Sequence, residues 1–119
     1  MTTAITLIGL CTFYSPNLME TVYANRLAWG HVQPCPECIG FAAMVEPEYL
    51  GQRVWIARPD ERAEGPFLVV DVGKAEHREG QRRRGLVCEV DFQTAQRWKM
   101  RGPVRVRVSM IGAQRGATP

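Results

Sequence analysis

The chain has 119 residues, of which 45% are hydrophobic and 23% are charged. This size and balance exclude two full-sized domains, a disordered chain and a membrane protein. The net charge of +3 hides an asymmetry, because residues 1–73 carry four Lys/Arg against eight Asp/Glu and residues 74–119 carry eleven against four. A basic C-terminal half is typical of proteins that bind anionic polymers, and it is also typical of a solvated loop with exposed helix and strand faces.

The N-terminal half begins with a predicted strand, because apolar and β-branched residues alternate from Ala4 to Tyr14. Ser15 and Pro16 then resemble an N-cap and a first helical residue, and apolar residues at 3–4 spacing predict an amphipathic helix that Gly30 ends. Short apolar runs bounded by Gly or Pro predict three further strands, over residues 39–45, 53–58 and 67–72.

The second half opens with residues 73–85, whose charges and glycines predict a long exposed loop. A strand is predicted over residues 86–90, and a short helix with Trp98 facing the core over residues 91–100. Residues 104–110 alternate apolar and polar side chains and predict a half-buried strand. About six short strands and two helices indicate a mainly β fold, a small barrel with helical crossovers.

Five short motifs, taken together in their order along the chain, indicate a family resemblance. They are Gly9–Tyr14, Leu50–Ile56, Val69–Asp71, Val90–Ala95 and Gly102–Val108. In this order and rough spacing they resemble the motifs of the rare lipoprotein A and expansin-like (barwin-like) family. The resemblance implies a single six-stranded double-psi β-barrel with two short helices over residues 1–111, followed by a frayed tail over residues 112–119. The sequence departs from the family where Ala42–Met44 replaces a common Ala-His pair and where Gln93 replaces a serine.

The resemblance, carried over residue by residue, implies that Thr12 and Tyr14 bind substrate and that Asp71 and Asp91 are catalytic. The residues themselves support this, because Asp71 and Asp91 each end an apolar strand and the two carboxylates can emerge near one another. One of two neighbouring carboxyl groups tends to keep its proton and can protonate a glycosidic oxygen. A carboxyl separation of ~5–10 Å would suit such sugar chemistry. In the alternative interpretation, Asp91 is an ordinary helix N-cap and Asp71 a turn residue.

Trp29 is a further substrate-binding candidate, because a tryptophan beside Gly30 and a loop can stack on a sugar ring, although most tryptophans belong to the core. Cys35 and Cys38 are disulfide candidates; free thiols and half of a zinc site are the open alternatives. A thioredoxin-like redox pair fits poorly, because such a pair opens a helix and a strand is predicted here. The remaining candidate zinc ligands form no second knuckle: His31, His77, Cys11 and Cys88. We therefore expect no metal and no cofactor.

These observations predict a domain that interacts with a cell-wall polysaccharide, peptidoglycan-like or cellulose-like, by expansin-like loosening or by lytic-transglycosylase-like cleavage. Two alternatives stay open: an inactive barrel that serves as a structural module, and a basic binder of nucleic acid or another anionic polymer. Few aromatic residues stand between the arginines, which disfavours nucleic acid. We expect a monomer without a membrane span. Because no export signal is recognisable, a secreted or cell-envelope location requires that the signal has been removed, and a cytoplasmic location also stays open.

Overall fold

Residues 4–111 form a closed mixed β-barrel of six strands with three α-helices, as described by a computed structural model. The strands are β1 (Ala4–Phe13), β2 (Gly40–Met44), β3 (Arg53–Ala57), β4 (Glu64–Val72), β5 (Leu86–Val90) and β6 (Val104–Ile111). The helices are α1 (Leu18–Ala28), α2 (Ala75–Arg83) and α3 (Phe92–Arg97), and a single 3₁₀ turn covers Pro47–Tyr49. The predicted mainly β barrel with six strands is confirmed. The predicted frayed tail over residues 112–119 lies outside the described residues.

The barrel closes in the order β1-β5-β2-β4-β3-β6. The β1–β5 and β2–β4 pairs are parallel, and the other four neighbouring pairs are antiparallel. Closure leaves none of these six strands with an unpaired edge. Since both parallel pairs flank the antiparallel β2–β5 pair, four strands that are far apart in sequence lie side by side on one wall.

Two apolar clusters hold this wall in place. The larger cluster fills the barrel interior with buried side chains from all six strands, among them Cys11, Met44, Ile56, Phe67, Val90 and Val108. The smaller cluster lies between α1 and strands β2 and β4, and it contains Met19, Ala43, Leu68 and Val70. Trp98 is 7% exposed and packs edge-on against Phe67, so its predicted core position is confirmed. Among the described residues, no helix has the length and apolar character that crossing a bilayer requires.

The structure corrects the prediction of a long loop over residues 73–85, because this segment contains the nine-residue helix α2 and brings the helix count to three. No residue of α2 is buried, so the apolar period that reveals a helix in sequence is missing. Charge spacing supports the helix instead: Arg83 Nη2 lies 2.8 Å from Glu79 Oε2, one turn away. In the sequence, these same charged residues are also typical of an exposed loop, which explains the wrong prediction.

The start of α1 also differs from the prediction. Asn17, and not Ser15, is the N-cap residue; it has a left-handed backbone (φ 67°) and makes no side-chain capping bond. Ser15 instead accepts a backbone bond from Leu18. Burial of Met19 in the smaller cluster, rather than a capping side chain, anchors this end of the helix.

Candidate functional site

Polar side chains meet on the wall where the four strands lie side by side. Ala43 in β2 is paired with Asp71 in β4 on one side and with Glu89 in β5 on the other, and Glu89 is paired in turn with Thr12 in β1. Neighbouring strands are about 4.8 Å apart, so the two acidic residues are separated by roughly 10 Å at their Cα atoms. A register shift between β2 and β4 places Asp71, rather than Val70, opposite Ala43.

Asp71 is held by three donors. Its Oδ2 accepts the Tyr14 hydroxyl at 2.6 Å, and its Oδ1 accepts both Arg26 Nη2 at 3.1 Å and the Val72 backbone N–H at 3.0 Å. The guanidinium bond is charge-assisted and fixes the orientation of the carboxyl group. Burial, followed by the bond to Asp71, raises the pKa of Tyr14 well above its ordinary value, so this hydroxyl stays a donor.

The carboxyl group of Glu89 has a raised pKa. Its burial raises the pKa of the carboxyl group, and the negative charge of Asp71 raises it further. The hydroxyl of Thr12, which donates to Glu89 Oε2 at 2.8 Å, and the guanidinium of Arg84 lower it in part. Because the pKa remains raised, Glu89 holds its proton to a higher pH than an exposed glutamate does.

A pocket of about 200 Å³ opens over these groups. Tyr14, Asp71 and Glu89 line its barrel side. The other side belongs to α2 and the residue before it, and is lined by Lys74, His77 and Gln81. Two acidic groups therefore face a polar rim with room for a bound group between them. Helix α2, which sequence analysis missed, supplies that rim.

Asp91 lies elsewhere. It is 4% exposed, and its Oδ1 accepts the backbone N–H of Thr94 at 2.7 Å as the N-cap of α3. Its Oδ2 accepts the backbone N–H of Phe41 at 2.7 Å. A side chain at Gly40 would contact this oxygen, since an added Cβ would lie 2.6 Å from it. The structure thus gives Asp91 the N-cap geometry of the alternative interpretation and does not bring it into the pocket with Asp71.

Glu89 is the residue that sequence analysis overlooked. Its signal is a single charged residue inside the short strand Leu86–Val90, whose other members are apolar. A charged group in such a strand is uncommon enough to warrant a search for its partners. Its distance in sequence from Thr12 and Asp71 concealed those partners, which only the barrel pairing brings together.

The remaining predicted site residues lie outside the pocket lining. Trp29 follows the C-terminal end of α1 and is 63% exposed. Cys35 and Cys38 form a disulfide that packs against the smaller cluster, whereas Cys11 and Cys88 are free and buried. In the part of the chain that the structure describes, no group of three or more His, Cys, Asp or Glu could hold a metal ion.

Three arginines of the basic half form ion pairs with carboxylates. Arg82 forms a two-pronged ion pair with Glu46, with distances of 2.6 and 2.7 Å. Arg97 binds Glu64, which also pairs with Arg58 of the N-terminal half, and Arg83 binds Glu79. Paired guanidinium groups have fewer free donors for the phosphates of a nucleic acid.

Comparison of the chain with family models, with curated proteins and with solved structures found no match in any of the three. The geometry of the pocket is therefore what bears on function.

Proposed function

We propose that this protein binds a cell-wall polysaccharide in the Asp71–Glu89 pocket and cleaves a glycosidic bond in the manner of a lytic transglycosylase. One observation carries the proposal. Two carboxyl groups share a pocket in unlike surroundings, because Arg26 and Tyr14 donate hydrogen bonds to Asp71 whereas burial raises the pKa of Glu89. Such a pair of unlike environments distinguishes a proton donor from a charge stabiliser.

In this mechanism Glu89 is the acid. Its proton passes to the glycosidic oxygen, the bond between that oxygen and the anomeric carbon breaks, and positive charge develops on the sugar ring. The Asp71 carboxylate stabilises that charge across the pocket. A hydroxyl of the same sugar then attacks the anomeric carbon and returns its proton to Glu89, which regenerates the acid. This route needs one acid and no separate base to activate water.

Thr12 and Tyr14 position the two carboxyl groups. The hydroxyl of Thr12, in β1, donates to Glu89 Oε2. The hydroxyl of Tyr14, the residue after β1, donates to Asp71 Oδ2, so each carboxyl group is held by one hydroxyl. The ammonium group of Lys74 at the rim favours an acidic, peptidoglycan-like strand over neutral cellulose. The proposal includes a double-psi arrangement of the barrel, supported by its two parallel strand pairs, and a secreted or cell-envelope location.

The test combines pelleting and product analysis. The wild type is incubated with insoluble peptidoglycan and, separately, with cellulose; bound protein is measured in the pellet and soluble fragments with an internal anhydro ring are sought by mass spectrometry. We expect Glu89→Gln to slow fragment release about 100-fold or more while binding persists. Glu76→Gln, an exposed change on α2, is the matched control and should leave release unchanged.

The outcomes separate the alternatives. Binding to neither glycan would refute the proposal. Binding without fragment release would refute catalysis and favour the non-catalytic module. Equal release by wild type and Glu89→Gln would refute the role of Glu89, and loss of release in Asp91→Asn with the fold intact would return the acid role to Asp91.

A further inference from the structure

We infer that the C-terminal end of helix α1 forms a second carbohydrate subsite, in which Trp29 stacks on a sugar ring of the strand whose scissile bond lies in the Asp71–Glu89 pocket. The inference rests on the proposed function and adds a binding surface outside that pocket. It is carried by the exposure of Trp29, by the rigid end of α1, and by a continuous chain of contacts to Asp71.

Trp29 presents an aromatic face that the protein leaves largely uncovered. The side chain is 63% exposed and belongs to neither apolar cluster. Its ring centroid lies 5.6 Å from that of His31, with the two planes tilted by 56°. A flat apolar face beside a ring with polar nitrogens matches a sugar, which has an apolar C–H face and a rim of hydroxyl groups.

The backbone holds this face in a defined position. Trp29 is the C-cap residue of α1, and Gly30 adopts the left-handed conformation (φ 76°) that ends the helix. The Gly30 N–H donates to Leu27 O at 3.1 Å and the His31 N–H donates to Arg26 O at 2.8 Å. These two bonds are the pattern of a Schellman motif, which fixes the residues on either side of the glycine. Trp29 and His31 are therefore presented together by a rigid helix end.

Arg26 links this surface to the candidate catalytic carboxylate. Its Nη1 lies 3.1 Å from His31 Nδ1 and its Nη2 lies 3.1 Å from Asp71 Oδ1. Because a guanidinium only donates, Nδ1 of His31 is the acceptor, and Nε2 carries the ring hydrogen. A continuous series of contacts thus links the exposed ring to the pocket, in the order Trp29, His31, Arg26 and Asp71. A polysaccharide long enough to follow this series contacts both Trp29 and the pocket.

The experiment measures the dissociation constants of soluble peptidoglycan-derived and chitin-derived oligosaccharides of increasing length, using Glu89→Gln as the background so that the ligand stays intact. We expect Trp29→Ala to weaken the longest oligosaccharides about 10-fold and to leave the shortest ones unchanged. Trp29→Phe should restore most of the affinity. Ile8→Ala, at an apolar side chain that is 66% exposed on β1, is the matched control. In the same Glu89→Gln background, long ligands should also protect tryptophan fluorescence from a soluble quencher, and Trp29→Ala should abolish this protection.

The results distinguish this inference from the proposed function. If the Glu89→Gln protein binds long oligosaccharides and Trp29→Ala binds them equally well, the subsite is refuted and the pocket stands. A 10-fold loss at every ligand length would place Trp29 in the primary site and would also overturn the second subsite. If no oligosaccharide of any length binds, the proposed function and the subsite both fail.

Discussion

Tyr14 donates its hydroxyl hydrogen to Asp71 Oδ2 across 2.6 Å, and so ties the residue after strand β1 to the C-terminal end of β4. These residues are 57 positions apart in the chain. Arg26 approaches the other carboxylate oxygen, so the pair belongs to a network that spans β1, α1 and β4. Removal of one member therefore affects both stability and the charge at the pocket.

Tyr14→Phe should lower the free energy of unfolding by about 1–2 kcal/mol, because the Asp71 carboxylate loses a charged hydrogen bond. Urea denaturation measures this loss. Burial raises the pKa of Tyr14 well above its ordinary value, so the alkaline rise in tyrosinate absorbance up to pH ~11 should be the same with and without Tyr14. Tyr23→Phe, at a ring stacked on Phe41, is the matched control for the loss of stability. A smaller rise in Tyr14→Phe than in the wild type would contradict the prediction.

The contribution of Glu89 to stability should fall as pH increases through its raised pKa. In the unfolded chain this carboxyl group ionises at about pH 4.3, and in the folded protein burial delays ionisation to higher pH. Between these values the folded state binds more protons, so its free energy of unfolding decreases with rising pH. Glu89→Gln removes the ionisation, so the thermal stability of the wild type relative to this variant should decline from pH ~4 to ~9. Identical profiles for both proteins would argue against a buried, proton-holding Glu89.

If the protein cleaves glycan by the proposed mechanism, Thr12→Val should shift the alkaline limb of its pH–rate profile to higher pH. The Thr12 hydroxyl lowers the pKa of Glu89 by a bond of 2.8 Å, and without it the acid keeps its proton longer. Initial rates of fragment release across a pH series measure the shift. Thr12→Ser should restore the original limb, and Thr6→Val, on the exposed part of β1, should not move it. A shift of the alkaline limb to lower pH in Thr12→Val would contradict this mechanism.

Asp91→Ala should lower the free energy of unfolding by about 2–4 kcal/mol, since α3 loses its N-cap and the Phe41 N–H loses its acceptor. Asp91→Asn keeps one acceptor oxygen, so its free energy of unfolding should fall by less than that of Asp91→Ala. Chemical denaturation gives both values, with Gln93→Ala on the exposed face of α3 as the control. Fragment release per folded molecule should persist in Asp91→Asn at low temperature. A loss below about 0.5 kcal/mol in Asp91→Ala would rule out the structural role.

Reduction of the Cys35–Cys38 disulfide should cost about 2 kcal/mol, the loop-closure value for a link between residues three positions apart. The measurement compares urea denaturation with and without a thiol reductant. Because Cys11 and Cys88 are free thiols, the reductant breaks the Cys35–Cys38 bond alone. The double variant Cys35→Ser/Cys38→Ser should match the reduced wild type and should not respond to the reductant; any further response would point to a different linkage.

Local patterns identified most of the elements. Alternation of apolar and polar residues predicted the closing strand almost to its ends, since a half-buried strand must expose every second side chain. The apolar residues at 3–4 spacing indicated α1 for an equivalent reason. Helix α2 escaped this reasoning because none of its residues is buried, and hence no apolar stripe marks it.

The identity of the acid pair depended on the tertiary structure. From the sequence alone, Asp71 and Asp91 each followed an apolar run and were equivalent; the fold separates them by burying Asp91 against the backbone N–H groups of Phe41 and Thr94. Glu89 became the partner of Asp71 because β2 pairs with both of their strands and a register shift turns Asp71 to face Ala43. The sequence by itself determined which segments are strands and that the chain closes as a small β structure, because burial periodicity is a local property. Which carboxyl groups meet was decided by the tertiary structure, because strand order and register are set by contacts between residues that are far apart in the chain.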